Sequence, residues 1–85
     1  MDILKNPTTV KLLAVQIIKA CDGYISLKLS EKKFQELLFH YASQHGTKLF
    51  SIKGFNPTIV NRIGKKRLEL VNIMLNGYQY RMPEI

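Results

Sequence analysis

Val10, Leu13, Ala14, Ile17, Ile18 and Cys21 recur three and four residues apart, the spacing of one buried helical stripe. Asn6 is the expected N-cap and Pro7 the first helical residue, a pairing that answers the unpaired amide donors of a helix start. Gly23, after Asp22, is the expected stop. Leu12 and Val15 widen the stripe, so the pattern leaves room for cover on more than one side. Residues 24–29 then alternate apolar and polar, which predicts a short strand with Ile25, Leu27 and Leu29 inward. Ser30 caps a second predicted helix that runs to about His45, ahead of Gly46. Its stripe is Phe34, Leu37, Leu38, Tyr41 and Ala42.

Residues 46–55 fit three descriptions: a helical turn, a strand, or an apolar loop packed on the core through Leu49, Phe50 and Ile52. Asn56-Pro57 opens a third, short helix with Ile59, Val60 and Ile63 inward, and Gly64 ends it. The last predicted element is a β-hairpin over 71–82. Asn76-Gly77 between two β-like runs is the signature of a two-residue type I′ turn. That register puts Val71, Ile73, Leu75, Tyr78, Tyr80 and Met82 on one face and Asn72, Met74, Gln79 and Arg81 on the other. The expected class is α+β: three helices with a small antiparallel sheet ending in a C-terminal hairpin. Residues 1–85 read as a single domain, since the chain is too short for two cores.

Charge changes this picture. The chain carries a formal net charge of +7, which implies an acidic partner: nucleic acid, an anionic membrane surface or an acidic protein. No acidic residue stands between Glu36 and Glu69, yet that window holds Lys48, Lys53, Arg62, Lys65, Lys66 and Arg67. Four of those six fall within residues 62–67, at the exit of the third helix. Lysine and arginine grouped in this way displace the counterions condensed on a polyanion.

The order helix, strand, helix, short helix, strand, turn, strand resembles the winged helix-turn-helix superfamily. There the first strand joins the terminal hairpin in a small sheet, and the hairpin is the wing. The resemblance rests on element order and charge placement and covers most of the chain. It departs from the superfamily in a long second helix, a long 46–55 connection and a short recognition helix. It implies that Arg62 and Asn61 project from the third helix, Lys48 and Lys53 from the loop before it, and Lys65, Lys66 and Arg67 between helix and wing. Thr58, Asn61 and Arg62 are residue types that reach base edges or backbone, and Gln79 and Arg81 on the wing would add contacts beside a groove.

Other chemistry has less to stand on. His40 and His45 are five residues apart, which on a straight helix separates them too widely to share a ligand, so no metal and no cofactor is expected. The acidic residues are scattered, no catalytic pairing is spaced for acid–base work, and no Gly-rich phosphate loop is present. Cys21 falls on the apolar stripe and reads as a buried structural thiol. A single cysteine allows no internal disulfide, and the N-terminal Met-Asp-Ile-Leu-Lys lacks the pattern of a secretory signal, so a reducing, cytoplasmic setting is expected. No apolar run reaches the length of a membrane span, and the first helix is not densely basic, so no membrane partner is expected.

The expectation is therefore a small non-catalytic nucleic-acid-binding protein, with DNA favoured over RNA. The alternative is a protein-interaction subunit that meets a larger replication or transcription enzyme through surplus apolar surface: Leu12, Val15, Tyr24 and Phe39. Homodimerisation through the first helix is a third option.

Overall fold

The structure, a computed structural model, describes residues 3–52 and 54–81, with side chains through Asn76. Five helices and one two-stranded antiparallel ribbon follow in the order α1 (Val10–Ile25), α2 (Glu31–Gln44), α3 (Gly46–Leu49), β1 (Phe50–Ser51), β2 (Gly54–Phe55), α4 (Pro57–Ile63) and α5 (Lys65–Arg81). The architecture is mostly helical, with a minimal sheet in which Phe50 pairs with Phe55 and Ser51 with Gly54.

The predicted stripes of the first, second and third helices are the buried faces. Leu13, Ala14, Ile17 and Cys21 from α1 meet Phe34, Leu38, Tyr41 and Ala42 from α2, and Ile59 and Ile63 from α4. Ser30 Oγ accepts from the Lys33 amide at 3.2 Å, and Asn56 Oδ1 from the Thr58 amide at 2.9 Å, so both expected caps are present. Phe34 carries the Tyr24 ring stacked on it at 5.0 Å, and Phe39 packs against the core, which removes both Tyr24 and Phe39 from the surplus apolar surface.

Four expectations are corrected. The first helix starts later: Thr9 is the N-cap, its Oγ1 accepting from the Leu12 amide at 3.1 Å, while Pro7 is buried ahead of the helix. It also ends later. Gly23 is buried inside α1, and the predicted strand over 24–29 is instead the last helical turn plus its cap. Lys28 N–H donates to the Gly23 carbonyl at 2.9 Å and Leu27 N–H to the Tyr24 carbonyl at 3.1 Å, with Leu27 in the left-handed region at φ 65°. This is a Schellman closure, with leucine where glycine is usual.

The largest correction is at the other end of the chain. Lys65–Arg81 is one helix of 17 residues, with Asn76 and Gly77 inside it, so the C-terminal hairpin and its wing are absent from the described residues. Leu68, Val71, Met74 and Leu75 also satisfy helical spacing, and that face packs on α2 and α4. Burial along a helix against two neighbours outweighs the turn preference of Asn-Gly and the cost of about 1 kcal/mol for a mid-helix glycine. Side chains of 77–81 lie outside the described residues, as does Lys53.

Candidate functional site

The basic edge is built by the junction of α4 and α5. α4 turns its apolar face, Ile59 and Ile63, onto α1, which leaves Thr58, Asn61 and Arg62 exposed on the opposite side at i, i+3 and i+4. Gly64 then breaks the chain direction in a single residue. Its φ of 85° and ψ of 164° belong to a region essentially open only to glycine. α5 starts at once with Lys65, Lys66 and Arg67, and no acidic residue stands in its first turn. Cations there oppose the helix dipole, and free backbone N–H groups add to the positive potential.

Arg67 behaves differently from its neighbours. Its Nε and Nη2 donate to the two Asp22 carboxylate oxygens at 3.0 and 3.2 Å, and Nη1 donates to the Ile63 carbonyl at 3.1 Å. The Asp22 hydrogen bonds hold this guanidinium above its ordinary pKa, so it stays charged. Arg67 is a clamp between the end of α1 and the α4–α5 junction, and most of its donors are spent inside the protein. Asp22 is correspondingly occupied, and among the described residues no carboxylate is bonded to Lys65 or Lys66.

Asp22, Ile25, Ile63, Gly64, Lys65, Lys66 and Arg67 together line an open concavity of about 410 Å³. Of the predicted site residues, the structure thus brings Lys65, Lys66 and Arg67 to one place, one residue beyond the α4 face of Thr58, Asn61 and Arg62. Lys48 lies half-buried in α3, a separate element. Lys53 and the side chains of Gln79 and Arg81 fall outside the described residues. The backbone of Gln79 and Arg81 belongs to α5, so the expected wing does not present them.

Beneath this edge, burial pushes the Cys21 thiol up to about 11, an effect only partly offset by Arg67. A thiol in that state is neutral and unreactive at ordinary pH.

A second polar cluster lies at the start of the chain. The Leu4 amide donates to buried Gln16 Oε1 at 2.9 Å, and the Tyr41 hydroxyl donates to the Leu4 carbonyl. His40 Nε2 and His45 Nε2 lie 3.2 and 3.0 Å from the same atom, Asn6 Oδ1. The two histidines therefore converge, against the helical-wheel expectation. His45 is the C-cap of α2, at φ −127° and ψ 28°, and the helical angle no longer applies to it. Among the described residues no group of three or more His, Cys, Asp or Glu is placed to hold a metal ion.

Residues 4–76 match a family described as "Conserved hypothetical protein". The chain belongs to that family. No curated protein and no solved structure matches the chain. The family span takes in α1 to α4, the Asp22–Arg67 clamp and the start of α5, so the basic edge lies wholly within it. No helix among the described residues is long and apolar enough to cross a membrane.

Proposed function

We propose that this protein is a non-catalytic nucleic-acid-binding module that docks the α4–α5 junction on the phosphate backbone of DNA. One observation carries the reading: Lys65 and Lys66 face solvent at the start of a long helix, while the carboxylate beside them is bound by Arg67. A surface arranged in this way gains by releasing counterions from a polyanion, and the nearest carboxylate, Asp22, is already bonded to Arg67. Arg62, Lys65 and Lys66 take phosphates, and Thr58 and Asn61 on the same α4 face lie within reach of backbone or base edges. This reading keeps from the winged-helix resemblance only the exposed face of α4 that carries Asn61 and Arg62, and the wing is not part of it. The test is a salt-titrated binding assay with mixed-sequence single- and double-stranded DNA and RNA. Salt-dependent binding that weakens in Lys65→Ala/Lys66→Ala, with folding intact, is the expected result. Unchanged affinity in that variant sinks the mechanism.

A second reading has its own observation. Leu12 and Val15 stand exposed one turn apart on α1, a surface suited to a larger protein. Co-purification with a specific protein, abolished by Leu12→Ser/Val15→Ser and accompanied by no DNA shift at moderate salt, would favour it. A light-scattering mass of one chain would exclude a homodimer on the same face.

A further inference from the structure

The turn that closes α1 is an unusual place for a leucine. Leu27 holds the left-handed conformation, φ 65°, which disfavours a side chain, and its own side chain is 91% exposed. No burial compensates for the backbone. Two residues earlier Ile25 is 66% exposed, and it lines the concavity that also contains Lys65 and Lys66. Lys28 follows, also exposed. Ile25 thus lines a cationic hollow, and Leu27, two residues on, stands exposed on the strained turn that follows. The two closing hydrogen bonds hold Leu27 there, and backbone strain of this kind clusters at functional sites.

We propose that Ile25 and Leu27 form an apolar wedge that enters the minor groove of duplex DNA while Lys65 and Lys66 hold the flanking phosphates. This deepens the nucleic-acid reading above and rests on it. Three features of the surface select this occupant. The apolar part is two exposed side chains of one turn, too small for the core of a stable protein interface. Among the described residues no aromatic ring lines the concavity, so they offer no stacking platform of the kind that single strands need. Aliphatic side chains beside cations are what minor-groove binders insert between base steps, bending the duplex away from themselves. The wide, shallow minor groove of duplex RNA offers no such slot.

Leu27→Gly separates the wedge from the fold, because glycine relieves the left-handed residue. The variant is expected to melt higher, by roughly 4 °C. It is also expected to bind an end-labelled duplex of about 20 bp roughly tenfold more weakly, with the same dependence of log K on log salt. Energy transfer between the duplex ends should show bending with the unaltered chain and little with the variant. Leu27→Met keeps an apolar tip and should retain both bending and affinity. Equal affinity and bending in Leu27→Gly overturns the wedge and leaves phosphate docking standing. Failure of the unaltered chain to bind duplex DNA in a salt-dependent way overturns both. A loss seen with anionic vesicles or an acidic peptide, with duplex binding untouched, assigns the turn to another partner and also overturns it.

Discussion

Two junctions of this small molecule gather polar side chains from distant parts of the chain, and they use them in opposite ways. At the first, Gln16, Tyr41, His40 and His45 all turn onto residues 4–6 and spend their polar atoms on a strap with no regular structure. At the second, where α4 meets α5, an ion pair ties Arg67 to Asp22 and leaves Arg62, Lys65 and Lys66 facing water. Satisfied polar groups in a partly buried setting stabilise a fold. Like charges left exposed at a helix start do not, and they cost a few tenths of a kcal/mol against the helix dipole. The closed junction holds the structure together, and the open one is where an outside anion has something to gain.

Breaking the closed junction should do the most damage to stability. Gln16→Ala removes a nearly buried side chain and its hydrogen bond to the Leu4 amide, for an expected loss of about 3 kcal/mol by urea denaturation. DNA affinity of the folded variant should be unchanged, since the strap takes no part in the open junction. A variant as stable as the parent would mean that the strap contributes nothing.

The thiol beneath the open junction gives a pH test. Burial pushes the Cys21 thiol up from an ordinary value of 9.0 to about 11, so the fold favours the neutral form. Its contribution is full below about pH 9 and is lost as pH rises toward 11, by about 2–3 kcal/mol relative to Cys21→Ala. Parallel stability profiles for the two proteins between pH 8 and pH 11 would contradict the burial of that thiol.

The smallest expected stability effect is at the clamp itself. Arg67→Ala should cost only about 0.5–1 kcal/mol, because both partners are substantially solvated. It should also free Asp22 beside Lys65 and Lys66, and so weaken DNA binding by more than one lost cation would. A double-mutant cycle with Asp22→Asn measures that coupling.

Much of this arrangement could be read along the chain. The stripes of α1, α2 and α4, the Ser30 and Asn56 caps and the stop at Gly64 all rest on local spacing, and local spacing is what a sequence displays. α5 was obscured because Val71, Ile73 and Leu75 fit a period of two while Leu68, Val71, Met74 and Leu75 fit a helix, and Asn76-Gly77 tipped the local balance toward a hairpin. Only packing on α2 and α4 decides between them, and packing is not local. The Asp22–Arg67 clamp joins residues 45 apart and left no periodic trace. The convergence of His40 and His45 depended on where α2 ends, by a single residue. Leu27 was legible as apolar, but its exposure became visible only once the predicted strand proved to be a helix cap.

The most direct test of the open junction is the slope of log K against log salt for a duplex of mixed sequence, with and without Lys65→Ala/Lys66→Ala. Three phosphate contacts predict a slope of about −2.7, and removal of two predicts about −0.9, with the melting temperature unchanged or slightly raised. An identical slope for the two proteins would contradict the claim that these lysines meet phosphate.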